Sequence, residues 1–147
     1  MRDVVIAGVG MTPFGKFQER SLRSLAGEAV TAALADAHAP AKDVGMAFLG
    51  NAVAGLITGQ EMIRAQVALQ DSGLLGIPLV NVENACASSS SALHLAWLAV
   101  AAGQVEVALA VGAEKLVHPD KQRSFEAISA AVDLEGREQL ARREGRL

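Results

Sequence analysis

Apolar positions along this chain recur in two periods. Val4 to Val9 is a β-rich apolar run ended by Gly10, and the pattern predicts a buried strand. From Ser21 to His38 the period changes: Leu22, Leu25, Ala26, Ala29, Val30, Ala33, Leu34 and Ala37 form one stripe at helical spacing, stopped by Pro40. Val44 to Leu49 reads as a second strand ended by Gly50, followed by a loop over Asn51 to Gly59. A second helix is predicted over Gln60 to Asp71, closed at Ser72-Gly73 in the manner of a glycine cap. Ile77 to Val82 is a third strand, Ala87 to Ala102 a third helix capped by Gly103, and Val105 to Val111 a fourth strand ending at Gly112. The order β-α-β-α-β-α-β implies an α/β fold with a mostly parallel sheet and helices on both faces. His118-Pro119-Asp120 predicts a short helix with Asp120 as its N-cap, and Phe125, Ile128, Ala131 and Val132 supply a thin apolar stripe there. Beyond it, eight of the fifteen residues from Asp133 to Leu147 are charged, which predicts a solvated helix or a frayed tail.

In such sheets the site lies at the carboxyl ends of the strands. Cys86, the Asn51 to Gly59 loop, the Met11 to Phe17 loop and Glu114 are all expected at that edge. Cys86 is the only cysteine, and it sits on the joint between the third strand and the third helix. A thiol at the first turn of a helix faces free backbone N–H groups and the positive end of the helix dipole, which favours thiolate. The surrounding Ala and Ser residues are small enough to let a large substrate's carbonyl approach. A lone cysteine in a chain that is 51% apolar is ordinarily a small buried hydrophobe, so both readings stand on the residues alone.

Composition narrows the classes. Four Phe, one Trp and no Tyr leave the core to Ala, Val and Leu. A net charge of −3 offers no basic surface for nucleic acid, and aromatic stacking platforms are missing. One cysteine excludes an internal disulfide and fits a reducing compartment. The chain starts without a signal-peptide pattern, and its most apolar stretch, Ala92 to Ala113, is interrupted by His94, Gln104 and Glu106. A soluble cytoplasmic protein without a membrane span is expected. Gly10-Met-Thr-Pro-Phe-Gly15-Lys16-Phe17 nearly matches a phosphate-binding loop, but Phe17 stands where a magnesium-holding hydroxyl is needed and Pro13 removes an N–H from the cradle. The dinucleotide fingerprint fails as well, and no His/Cys/carboxylate spacing suits a metal.

An acyl-transferring thiolate needs a base and an oxyanion hole. None of the three histidines is a convincing partner: His94 is roughly 12 Å along the same helix, His38 belongs to a helix end, and His118 is expected in a polar loop.

At these residues the chain resembles the N-terminal half of the thiolase superfamily, and is most similar to acetyl-CoA acetyltransferases of the sterol-carrier-protein and lipid-transfer type. The resemblance is carried by Asn81-Val-Glu-Asn-Ala-Cys86-Ala-Ser-Ser-Ser-Ser-Ala-Leu, by Gly10-Met-Thr-Pro-Phe-Gly-Lys-Phe, by Gly112-Ala-Glu-Lys and by His118-Pro-Asp-Lys-Gln-Arg-Ser-Phe125. It implies that Cys86 is the catalytic nucleophile, taking an acyl group as a thioester and passing it between coenzyme A and a carbon nucleophile. Coenzyme A thioesters would be substrates, with no permanently bound cofactor. The reaction would be 3-ketoacyl-CoA thiolysis or acyl-CoA condensation, in lipid metabolism.

The same resemblance implies a dimer of two-half subunits with a loop domain inserted after the fourth strand. Residues 1–114 are then expected to be the N-terminal α/β half, and 115–147 the start of that loop domain or a charged tail. The fifth strand, the Gly-His-Pro-type histidine and the Cys-x-Gly cysteine of the family are absent from this sequence. His118-Pro119 lacks the preceding Gly and lies in the wrong half. The chain alone is therefore expected to be inactive or nearly so: either it is a fragment, or it is completed by a homo-oligomer or by a partner subunit that supplies the missing half. Two alternatives remain open: a non-catalytic module that binds acyl-CoA or a partner, and a fragment of a ketoacyl synthase or hydroxymethylglutaryl-CoA synthase.

Overall fold

Three parallel strands, β1 (Met46–Gly50), β2 (Leu79–Val82) and β3 (Ala108–Gly112), form one sheet in the order β2-β1-β3 in a computed structural model that describes residues 2–143 and 145. The registers pair Ala47 with Leu79 and Leu109, and Gly50 with Val82 and Gly112, so all three strands end at one edge. β1 is central and covered on both faces, which is why it reads as a continuous apolar run.

Side-chain alternation along β1 splits the core in two. Ala47 and Leu49 face α1 (Leu22–Asp36) and α3 (Arg64–Ala68), packing with Ala26, Val30, Ala65, Ala68 and Leu69. Phe48 faces the other way, onto Ala92, Ala96 and Ala99 of α4 (Ser88–Ala101). The expected helices on both faces of a parallel sheet are thus present. Alanine at positions 92, 96 and 99 of α4 lets its backbone lie close to the sheet, against the one buried aromatic of this cluster, Phe48.

The first predicted strand does not form. Val4 to Val9 runs without a ladder partner, and Val5, Ile6 and Val9 are 82%, 75% and 68% exposed. Its apolar, β-rich composition is that of a strand, but a strand exists only when another pairs with it. Here the segment is held by its ends: Arg2 N–H donates to the Ala101 carbonyl at 3.1 Å and Val9 N–H to the Asp36 carboxylate at 2.9 Å. Among the described residues the sheet therefore has three strands, and the outer edge of β3 carries none.

Two further boundaries differ from expectation. The Asn51 to Gly59 loop contains a helical turn, α2 (Ala54–Thr58), ended by Gly59 at φ 84°. The second helix shrinks to α3, because Ile63 takes φ 49° and breaks the helix before Arg64, leaving Met62 and Ile63 exposed. Its cap is Leu69, and Gly73 at φ 75° belongs to the following turn. Asp120 caps α5 (Lys121–Ser129) by accepting from Gln122 N–H at 2.9 Å, as the sequence suggests. Within the charged stretch, Arg137–Arg143 forms α6; residues 144, 146 and 147 lie outside the described ones.

Candidate active site

β2 ends at Val82, and four residues later the chain carries its thiol. Glu83 and Asn84 lead into a 3-10 turn, Ala85–Ala87, which passes directly into the 14 residues of α4. Cys86 occupies that turn, is exposed, and sits at the strand-end edge. It is neither within a strand nor sealed among aliphatic side chains. Its N–H donates to no acceptor among the described residues, so a free backbone donor lies beside the thiol.

The turn is tightly specified. Ala85 has φ 45°, a left-handed conformation that costs an alanine about 1–2 kcal/mol. Side chains hold it there. Ala85 N–H donates to Glu83 Oε1 at 2.6 Å, and Asn84 N–H donates to Ser88 Oγ at 2.9 Å. Ser88 Oγ in turn donates to the Ala85 carbonyl at 2.7 Å, from a residue only 4% exposed. Asn84 Nδ2 reaches Ser91 Oγ at 3.0 Å.

Two glycines let this helix start meet the sheet. A Cβ on Gly50 would lie 2.6 Å from the Ser88 carbonyl carbon, and one on Gly112 would lie 2.2 Å from Ser89 Oγ.

Beyond those glycines, the ends of β1 and β3 are clasped together. Glu114 Oε2 accepts from the N–H groups of Ala52 and Val53 at 2.9 and 3.0 Å, and Oε1 accepts from Asn51 Nδ2 at 3.1 Å and Lys115 N–H at 2.9 Å. Asn51 Nδ2 also donates to the Ala113 carbonyl at 2.7 Å, while its Oδ1 and the Ala52 carbonyl accept from Arg64 at 2.8 and 3.0 Å. Lys115, 9% exposed, sends its ammonium to the carbonyls of Phe17, Gln18 and Arg20. A carboxylate thus gathers N–H groups from one loop, and the next residue's ammonium gathers carbonyls from another.

Of the elements expected at this edge, Cys86, the start of the Asn51 loop and Glu114 all arrive, and Lys115 ties the end of the Met11 to Phe17 segment to it. The histidines do not join Cys86. His94 stacks on Trp97 along the outer face of α4, with ring centroids 6.0 Å apart. His38 takes φ 49° just past α1, its N–H donating to the Ala35 carbonyl. His118 Nδ1 accepts from Asp120 N–H at 3.0 Å and orders the start of α5. Sequence reasoning misses the roles of Asn51, Arg64, Ser88 and Lys115; the one signal for them is the charged Glu-Lys pair immediately after the last strand. No cluster of metal-ligating side chains occurs among the described residues.

Comparison with known proteins identifies the family and a likeness of fold. Residues 4–140 match the family described as Thiolase, N-terminal domain. An acetyl-CoA acetyltransferase of Methanocaldococcus jannaschii is 46% identical over 135 residues, covering 92% of this chain and 34% of that protein. Human sterol carrier protein 2 is 39% identical over 119 residues, covering 79% of this chain and 21% of the relative. The benzoylsuccinyl-CoA thiolase subunit BbsB of Thauera aromatica is 38% identical over 117 residues, covering 77% of this chain and 28% of the relative. This chain spans about a third of the length of the first two curated relatives it matches. Among solved structures, 3-oxoacyl-[acyl-carrier-protein] synthase III from Aquifex aeolicus superposes with a TM-score of 0.57 over 67% of this chain and 31% of its own, at 22% identity, a likeness of fold.

Proposed function

The chain belongs to the thiolase family, and we propose that it is the nucleophile-bearing half of an acyl-CoA acyltransferase, with Cys86 as the residue that accepts the acyl group. The observation that supports this most is the placement of one exposed thiol in the turn that opens α4, at the edge where three parallel strands end. Sulfur would attack the thioester carbonyl of an acyl-CoA. The carbonyl oxygen would develop negative charge against the free Cys86 N–H, and coenzyme A thiol would leave once protonated. The acyl group on Cys86 would then pass to a carbon nucleophile in condensation; thiolysis runs the same steps backwards.

Coenzyme A thioesters are thus substrates, as the names of the acetyl-CoA acetyltransferase and benzoylsuccinyl-CoA thiolase relatives suggest. We assign residues 1–114 to the α/β half and 115–147 to the start of the inserted loop domain or a charged tail. A lone free cysteine fits a reducing, cytoplasmic setting, and no helix among the described residues is long and apolar enough to cross a membrane.

No histidine among the described residues reaches Cys86, so proton transfer falls to groups outside them. One relative is itself named as a subunit. The purified chain is therefore expected to show no thiolysis of acetoacetyl-CoA above background. Co-expression with a polypeptide supplying the missing half should restore it, and Cys86→Ser should abolish the restored turnover. Full turnover by the purified chain, or undiminished turnover after Cys86→Ser, would refute the proposal. A module that only binds acyl-CoA would show neither restoration nor sensitivity to that substitution.

A further inference from the structure

We infer that Glu114 is a positioning residue for Cys86, acting through the Asn51–Val53 loop that its carboxylate holds and whose Asn51 N–H donates at 3.1 Å to the carbonyl of Val82, the end of the strand that leads into the thiol-bearing turn. The inference rests on the reading of Cys86 as acyl acceptor. Each carboxylate oxygen of Glu114 takes two N–H donors, those of Ala52 and Val53 on Oε2 and those of Asn51 Nδ2 and Lys115 on Oε1. That set admits no neutral isostere. A glutamine offers one acceptor oxygen, and its amide NH2 would confront two donors in either orientation. The site is built for a carboxylate.

Glu114 does not touch Cys86; its effect must travel along the chain. The loop it holds begins one residue after Gly50, the glycine against which the Ser88 and Ser89 backbone packs. Ser88 Oγ in turn holds Ala85 at φ 45°. A non-glycine residue keeps such a conformation only where its surroundings over-determine it. Releasing the loop removes one of those constraints, and the turn relaxes, carrying Cys86 away from the helix end. Lys115 fixes the backbone from which Glu114 reaches, by donating to three carbonyls of the Phe17 to Arg20 turn.

Alkylation of Cys86 by iodoacetamide in the full chain tests this. Glu114→Gln should slow alkylation at least about threefold, the rate equivalent of one weak hydrogen bond, in a protein that still melts cooperatively. Adding Ala85→Gly in that background should recover at least half of the lost rate, because glycine holds a positive φ without support. A purely structural lesion would not be rescued by that second change. Less than threefold slowing by Glu114→Gln, or slowing that Ala85→Gly leaves untouched, would overturn the inference. Should Glu114→Gln fail to fold, Glu114→Asp, which keeps the charge and shortens the reach, is held to the same thresholds. Variant-to-parent ratios test Glu114 alone, whereas the parent's own alkylation rate tests the acyl-acceptor reading, so the two can fail separately.

Discussion

At Gly50 and Gly112 a single methyl group decides whether the helix behind Cys86 can reach the sheet. An added Cβ at Gly50 would press on backbone, which cannot swing aside, so Gly50→Ala should destabilise the protein by about 3 kcal/mol through overpacking. Gly27 is the contrast: it lies inside α1 with nothing within 4 Å of where a methyl group would sit, and Gly27→Ala should stabilise by about 0.5–1 kcal/mol through helix entropy. Urea denaturation of the two variants beside the parent checks both signs. At this scale Cys86 is legible in the sequence, since it is the one thiol and stands on a strand-to-helix joint. The Glu114 network is not. Its partners lie 61 to 63 residues away in Ala52, Val53 and Asn51, and Arg64 joins through Asn51 13 residues from itself. Hydrogen bonds from a side chain to remote backbone and side-chain groups leave no periodic trace in the sequence.

Among elements, the long ones are readable and the short ones are not. α1 carries seven of the eight stripe positions, the eighth, Ala37, being its C-cap, and it has a serine N-cap, so pattern and capping agree. Ser21 Oγ accepts from Ser24 N–H at 3.1 Å, and Ser21→Ala should cost about 1 kcal/mol in the same denaturation experiment; an unchanged midpoint would show that the cap contributes nothing. α2 and α3 have five residues each, too short to be stable by propensity. They exist because tertiary contacts bury Ala54, Ile57, Ala65 and Ala68, and those contacts are invisible to a period count. Conversely, Met62 fits the helical period, yet it precedes the left-handed Ile63 that ends the register.

On the scale of the whole molecule, the sequence pattern fails where pairing is decided by elements far away. Val4 to Val9 has the composition of a strand but finds no partner, and β3 presents an unpaired edge. On the far side, Leu93, Trp97 and Leu98 of α4 are exposed beside His94. Exposed apolar surfaces of this kind mark places where further protein packs. The chain expressed alone should therefore self-associate at micromolar concentration, and Leu93→Glu with Trp97→Glu should return it towards a monomer. Sedimentation velocity reads both; a monodisperse monomer in the parent would contradict this.

The central claim is that the fold makes Cys86 a nucleophile. Its most direct test compares one thiol with itself: the rate of iodoacetamide alkylation of Cys86 in the folded chain and in the same chain unfolded in urea, at one pH and corrected with a free-thiol standard in each solvent. The folded rate is predicted to be at least about threefold the unfolded one, the size of a modest helix-terminus effect. A folded rate equal to or below the unfolded rate would contradict it.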